Sequence, residues 1–318
     1  MVPFDSLTDA VGPKAPNRPV DVALIQDLVA LANTGKPGDC VDGLMTDELL
    51  AGIGTFQTAT MKSAAPDRKV DPGGRTFTAL LAAAGKSYKG PLIFLQLPLG
   101  PWNLLDRTRF SDLFALQFKD PQPYNWTSPR PVGLRTVLDS IIADAAITDL
   151  RWAADMMATV QRETGRFTPV EEGGRGAGKP YGKPMTFTAA DKKKYTNIYY
   201  GRGYVQLTHL ENYVKMGDLL GRGETLAMDP GKALEPSIAY NVMSYGMRNG
   251  SFTTAAHKLS DYMVGTKCDY REARRIINGV DMANEIANCA EMIEGLLWLS
   301  TRACFGSSIF KGAGMPKP

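Results

Sequence analysis

From Pro19 onward the apolar positions fall at helical spacing. Val22, Ile25, Leu28, Val29 and Ala32 share one face, with Asp21 as the expected cap. A turn follows through Gly35, Pro37 and Gly38. The stretch Val41-Asp42-Gly43-Leu44-Met45-Thr46 then leads into a second helix whose inward face carries Leu49, Leu50, Ile53 and Phe56. Val70-Asp71-Pro72-Gly73-Gly74-Arg75-Thr76 introduces a third helix bearing Phe77, Leu80 and Leu81, which stops near Gly85. Residues 1–18, with several Pro, Gly and Lys, read as a surface arm. Residues 1–85 therefore form a small three-helix module in which a glycine-bearing turn precedes each later helix.

Periodicity lapses over 86–130. Leu92-Ile93-Phe94-Leu95-Gln96-Leu97 has the look of a short strand. The remainder is rich in Pro and in aromatics: Trp102, Phe110, Phe114, Phe118, Tyr124 and Trp126. It is too apolar for a free linker and is expected to pack between domains or along a cleft rim. Helical spacing resumes at Val132 with Leu134, Val137, Leu138, Ile141 and Ile142. Asp149–Glu163 repeats the pattern with Leu150, Ala153, Ala154, Met157 and Val160. Further helices are expected over Leu234–Asn249, Thr253–Asp261, Tyr270–Asn278 and Asp281–Phe305, and strand patterns are scarce. The predicted fold class is mainly α, divided as 1–85, a connector over 86–130, and a helical domain over 131–310.

Composition narrows the function. The chain has 318 residues, 44% hydrophobic and 22% charged, enough for two modest domains with a sizeable core. A net charge of +3 is too small to argue for nucleic acid, though it suits an anionic polymer. No apolar run reaches bilayer length, so no membrane insertion is expected. The Met1–Asp5 start lacks the basic and apolar regions of a secretory signal, so a chain acting outside the cytoplasm would need another route. Cys40, Cys268, Cys289 and Cys304 form no CxxC pair, and His209 and His257 are the chain's two histidines. No metal site or cofactor is expected from that inventory. The cysteines are expected as buried free thiols, with Cys268–Cys289 or Cys289–Cys304 as the pairs an oxidising compartment would close.

Candidate chemistry concentrates in two segments. Gln161-Arg162-Glu163-Thr164-Gly165-Arg166-Phe167 puts a carboxyl group at the end of a mostly apolar helix, which Gly165 and Pro169 then break. Partial desolvation there suits a general acid. Glu172 lies nine residues on. In one continuous helix the two carboxyls would stand roughly 13 Å apart along the axis. The break instead lets the chain fold back and set them across a gap wide enough for a water, roughly 6.5–9.5 Å in inverting glycosidases. Glu171 and Asp191 compete with Glu172 for the second role. The run Gly173-Gly174-Arg175-Gly176-Ala177-Gly178 lacks the lysine–serine ending of a phosphate loop and reads as a mobile lid or cleft rim.

The second segment is Tyr199-Tyr200-Gly201-Arg202-Gly203-Tyr204-Val205-Gln206-Leu207-Thr208. Gly201 and Gly203 permit tight backbone geometry and close approach to a ligand. Gln206 and Thr208 point the same way if this stretch is extended, so that Thr208 would hold a water while Gln206 and Asn212 bind sugar hydroxyl or acetamido groups. The alternative role for Thr208 is to cap a helix starting near Leu210. Together the two segments suggest a sugar-cleaving cleft, with an acid on one wall and a sugar- and water-holding loop on the other.

Two resemblances follow from these motifs. Residues 15–85, with Ile25-Gln26-Asp27-Leu28, the Val41-Asp42-Gly43 turn, Phe56-Gln57 and the Val70–Thr76 turn, resemble peptidoglycan-binding-like domains of bacterial and phage wall hydrolases. Glu163–Glu172, Tyr199–Thr208, Asn212-Tyr213 with Lys215-Met216-Gly217, and Arg274–Ala287 resemble glycoside hydrolase family 19, nearer its phage endolysin and bacterial lysozyme-like branch than the plant chitinases. The second resemblance spans residues 135–305. It implies a lysozyme-like helical fold and hydrolysis of β-1,4 bonds between N-acetylated aminosugars. By residue, it implies Glu163 as general acid, Glu172 as second carboxylate and Thr208 as the water-positioning hydroxyl. Tyr200, Arg202, Gln206, Asn212 and Asn278 become candidate substrate contacts. The second glutamate of the plant enzymes lies further downstream in their sequences, whereas here none follows Glu172 until Glu211. That departure favours peptidoglycan over chitin.

The expectation is therefore a peptidoglycan hydrolase of muramidase type that inverts the anomeric centre and takes peptidoglycan glycan strands as its partner. A chitinase, a lytic transglycosylase and a non-catalytic wall-binding protein are the alternatives. Without a signal peptide it would be made in the cytoplasm and act in the periplasm or cell wall, delivered by phage lysis, in a virion or through a secretion system. In the last case an immunity or inhibitor protein would accompany it.

Overall fold

The computed structural model describes residues 6–38, 41–86, 88–90, 105–118, 131–165 and 167–301. The chain divides into two compact units: Met1–Trp126 with Glu291–Pro318, and Thr127–Ala290. The fold is mainly helical. Strands among the described residues are short and form three two-stranded antiparallel sheets.

In the first unit α1 (Pro19–Thr34), α2 (Asp47–Ala59) and α3 (Arg75–Ala84) surround a core of Val22, Ile25, Leu28, Ile53, Phe56, Phe77 and Leu80. Leu50 and Leu81, expected inward, are only half-buried at its margin. Thr46 caps α2 by accepting from Leu49 N at 3.2 Å. Gly43 has φ 73°, and a Cβ there would come within 2.8 Å of Pro19 O, so the predicted turn needs its glycine.

Two expectations for this unit need correction. Asp21 does not cap α1. Arg18 holds the cap position, Pro19 opens the helix, and Asp21 is buried in the first turn. There it accepts the backbone N–H of Thr8 at 2.8 Å and of Asp9 at 3.0 Å. Burial outweighs these bonds and pushes its pKa up to about 6. Nor do residues 6–18 form a surface arm. Leu7 and Val11 are buried, and Val11 exchanges backbone hydrogen bonds of 2.9 and 2.8 Å with Val70. The local Pro and Gly content concealed a pairing made with a distant residue.

The connector contains a helix that its sequence did not announce, α4 (Arg107–Gln117), capped by Asp106 and burying Phe110, Leu113 and Phe114. Arg109 donates to Leu299 O at 2.8 Å and to Asp42 O at 2.9 Å, and Leu105 bridges Thr301. Residues from both ends of the chain thus complete one body. The Leu92–Leu97 run, Trp102, Tyr124 and Trp126 lie outside the described residues.

The second unit contains α5 (Pro131–Ala143) and α6 (Leu150–Thr164), close to the predicted spans. Then come β1 (Val170–Glu171), β2 (Met185–Thr188), β3 (Lys194–Asn197) and β4 (Arg202–Gly203). The helices α7 (Leu210–Leu219), α8 (Thr225–Met228) and α9 (Pro236–Asn249) follow. The β2–β3 hairpin was not foreseen, because its strands are only four residues long.

Gly250, at φ 68°, closes α9, and Ala256 at φ 53° keeps most of 253–261 out of a helix. Only α10 (Leu259–Tyr262) forms there, before β5 (Met263–Val264) and β6 (Lys267–Cys268). The helix expected over Tyr270–Asn278 is shorter: α11 (Tyr270–Ala273) runs into a 3-10 turn over Arg274–Ile276. α12 (Ala283–Leu299) carries the chain onward. Cys268 and Cys289 form no disulfide with each other, and both are half-buried rather than fully buried as expected. Cys289 instead donates its thiol to Gln161 Oε1 at 3.0 Å. Cys40 and Cys304 lie outside the described residues. Among the described residues no helix is long and apolar enough to cross a membrane.

Candidate active site

Glu163 occupies the last turn of α6, which Gly165 ends in the left-handed conformation at φ 66°. Its Oε1 stands 2.9 Å from Arg274 Nη1. The contact is charge against charge rather than an aligned hydrogen bond. Arg274 is buried, its side chain 5% exposed, while Glu163 retains 20%. Arg274 Nε donates to Asp281 O at 3.2 Å, which fixes the guanidinium from behind. The same cation acts on Asp155, about two turns before Glu163 on α6. Burial pushes the Asp155 carboxyl up to about 7, and Arg274 draws it back in part.

Beyond Gly165 the chain turns back through Phe167, buried at φ 56°, and enters β1. β1 pairs antiparallel with β4, setting Val170 opposite Gly203 and Glu171 opposite Arg202. This register brings Glu172 beside Gly201. Glu172 N donates to Gly201 O at 2.7 Å, and Gly201 N donates back to Glu172 Oε2 at 3.1 Å. Tyr181 donates its hydroxyl to the other oxygen, Oε1, at 2.9 Å. The Tyr181 ring lies edge-on to His209, 5.1 Å between centroids, which ties this carboxylate to the segment carrying Thr208.

The two competing carboxylates are engaged differently. Glu171 accepts from Tyr200 at 2.5 Å and pairs with Arg175 at 2.9 Å, with Arg202 Nε 3.7 Å away. Its carboxyl is held below the ordinary range, first by the Tyr200 bond and then by Arg175 and Arg202. Asp191 sits exposed at the tip of the β2–β3 hairpin, bound to Lys193. Among the described residues no cation pairs with Glu172, which distinguishes it from both.

The loop from Tyr199 to Thr208 is built around Arg202. That side chain is buried, and its Nη1 donates to Ile198 O at 3.0 Å, Tyr200 O at 3.3 Å and Tyr213 Oη at 3.2 Å. Its guanidinium carbon lies 3.6 Å from the Tyr200 ring centre. Arg202 and Tyr200 therefore frame the loop from within. A Cβ on Gly201 would come 2.8 Å from Gln206 Oε1 and 3.3 Å from Glu172 Cβ, so a side chain there would have to push the Gln206 amide aside.

The loop is not extended, and the alternation expected between Gln206 and Thr208 does not hold. Gln206 has φ 54° at the end of a turn over 204–206, and its amide donates to Val170 O and Gly203 O at 3.3 Å each. Nor does Thr208 cap α7. His209 occupies the cap position with φ 68° and no side-chain cap bond. Asn212 Nδ2 donates to Thr208 O at 2.8 Å, holding the Thr208 backbone. Asn278 is exposed just past the Arg274 turn and donates its N–H to Arg274 O at 3.1 Å.

Two clusters result. Tyr181 touches Glu172 and His209, with Gly201 beside Glu172 and Gln206 beside Gly201, while Glu163 stands with Arg274. No hydrogen bond or ion pair joins Glu163 to Glu172. Sequence reasoning passed over Tyr181 and Asp155, and named Arg274 only as the first residue of the Arg274–Ala287 motif. Of these, Asp155 alone left a local trace, a charge on an otherwise buried stretch of helix. Among the described residues no group of His, Cys, Asp or Glu is arranged to hold a metal.

The chain matches no family model and no curated protein sequence. Among solved structures it is similar to chitinase C from Streptomyces griseus, at 22% identity over 62% of this chain and 93% of that one, with a TM-score of 0.37. A mutant of chitinase C gives 20% identity over the same shares, with a TM-score of 0.35. A superposition this loose fixes neither fold family nor activity.

Proposed function

We propose that the chain is a glycoside hydrolase acting on polymers of N-acetylated aminosugars, with peptidoglycan as its substrate and muramidase chemistry as its reaction. The observation that carries this is Glu172: a carboxylate oriented through both oxygens, free of any cation pair among the described residues, and tied to the segment bearing Thr208. That is what a base activating a held water requires. Glu163, on the helix just before, is the acid: it enters the step carrying the proton, and Arg274, 2.9 Å away, stabilises the carboxylate left when that proton is given up. Glu163 protonates the glycosidic oxygen as the bond to the anomeric carbon breaks. Water oriented by the Thr208 hydroxyl attacks that carbon from the opposite face, and Glu172 takes its proton. The product sugar has inverted configuration. Solvent then returns a proton to Glu163 and removes one from Glu172. No step requires a cofactor.

Product analysis on purified sacculi tests this. Reducing-end muropeptides are expected from the wild-type chain, and none from Glu163→Gln, which should still bind sacculi. Anhydro-sugar products would instead mark a lytic transglycosylase. Cleavage confined to soluble chitin oligomers would mark a chitinase, and no product from either substrate a wall-binding protein.

The first unit is proposed as the wall-binding part. A cleft of about 500 Å³ beside the N-terminus of α3 is lined by Lys62, Lys69, Asp67, Asp71, Gly74 and Arg75. Lys69 pairs with Asp71 at 2.7 Å, which leaves Lys62 and Arg75, beside the start of α3, as the cations that suit the carboxylates of a peptidoglycan stem peptide. Should the chain be delivered as an effector, an inhibitor protein covering Glu163 and Glu172 would be its partner.

A further inference from the structure

The glycine-rich run 173–178 has no phosphate to hold, yet its geometry is constrained. Gly176, at φ 71°, packs so closely on the next turn that a Cβ would lie 2.8 Å from Gly182 Cα and 3.0 Å from two carbons of the Tyr181 ring. A Cβ on Gly182 would lie 1.8 Å from Gly176 O. The run is thus folded down onto Tyr181, and neither glycine tolerates a side chain. On its other contact the ring meets His209 edge-on at 5.1 Å. The phenol is set in place by these neighbours, and its hydroxyl is aimed at Glu172 Oε1.

We infer that Tyr181 is a positioning residue for the reaction, seated by the glycine-rich turn and holding the Glu172 carboxylate in register with the water-binding Thr208 segment. The inference rests on the reading of Glu172 as general base. Each carboxylate oxygen offers about two lone-pair directions. Tyr181 takes one on Oε1 and Gly201 N takes one on Oε2, which fixes the plane of the group and leaves lone pairs for a water. The phenol's own pKa is raised, chiefly by this bond, so it acts as a donor and not as a proton acceptor. His209 adjoins Thr208 in the chain, so one aromatic contact couples the position of the base to that of the residue holding the nucleophile.

The test uses the full chain on purified peptidoglycan, with Tyr181→Phe, Glu172→Ala and the double variant, each with and without azide as a small external nucleophile. Tyr181→Phe is expected to lower kcat by about 10- to 100-fold with little change in KM, the loss that misplacing a reacting group produces. In the Glu172→Ala background, where azide replaces the activated water, adding Tyr181→Phe is expected to cost nothing further. Wild-type kcat in Tyr181→Phe overturns the inference while leaving Glu172 as base. An equal loss in both backgrounds also overturns it, because Tyr181 would then act other than through Glu172. Wild-type activity in Glu172→Ala defeats the underlying reading instead. If Tyr181→Phe does not fold, Tyr181→His, which keeps an aromatic ring at the His209 contact without the phenol hydroxyl, decides by the same criterion.

Discussion

Arg274 presents its guanidinium to the Glu163 carboxylate at 2.9 Å while itself almost wholly buried. An Arg in that state is fixed as much by its surroundings as by its partner, since removing either charge strands the other away from water. Here the surroundings include Asp281 O and the buried Asp155. Arg274 therefore acts as a brace that sets where the proposed acid stands.

Replacing that brace is expected to affect stability and turnover together. Arg274→Met should lower folding stability by about 3 kcal/mol, as expected when a buried pair loses one member. It should also reduce kcat more than Glu272→Gln does, a surface control that leaves Arg274 untouched. Denaturant melts and steady-state rates check both, and an unchanged kcat in folded Arg274→Met would free Glu163 from dependence on this contact.

The raised carboxyl of Asp155 gives stability a particular pH dependence. With its pKa at about 7 folded and 3.8 unfolded, the folded state keeps a proton that the unfolded chain has lost between those values. Its contribution is fully present below about pH 4 and disappears as the pH rises through about 7, with an upper limit of roughly 4 kcal/mol. Asp155→Asn should flatten this fall. The comparison is the melting temperature of variant and wild type between pH 5 and pH 8, and parallel curves would show that Asp155 is not its source.

Gly201→Ala should disable the site without unfolding the unit. The new methyl group must displace the Gln206 amide at 2.8 Å and crowd Glu172 Cβ at 3.3 Å. A fall in kcat of at least about tenfold is expected from the misplaced base. Circular dichroism should retain the helical signal, and a fully active alanine variant would contradict the close-packed loop.

Wall binding by the first unit should depend on charge at its cleft. Lys62→Glu with Arg75→Glu reverses two of the cations lining it. Co-sedimentation with insoluble sacculi should weaken, most visibly at low salt, while cleavage of short soluble fragments stays near the wild-type rate. Unaltered sedimentation would reduce this unit to a spacer.

Much of the helical framework was legible because the signals are local. The apolar spacing of α1, α2, α3, α5 and α6 fixes their inward faces, and Gly35, Gly85 and Gly165 mark the ends of α1, α3 and α6. What escaped depends on distant partners. Leu7 and Val11 look like part of a tail until Val70 pairs with Val11. Around Phe110 and Phe114, charged and hydroxyl residues dilute the pattern of α4. In the candidate site, the end of the helix at Glu163 and the reversal of the chain before Glu172 were readable from Gly165 and Pro169. The contacts of Tyr181 and Arg274 were not, because they come from what the folded chain sets beside them. The parity drawn between Gln206 and Thr208 failed on a single left-handed residue.

The first unit is assembled from both flanks of the polypeptide, while residues 127–290 form one uninterrupted stretch between them. Trimming from either end consequently erodes the same body, so progressive terminal deletions would report on one unit twice. The boundary after Ala290 falls inside α12, so one unbroken helix belongs to both units, and any exchange of the interior stretch must carry or rebuild that helix.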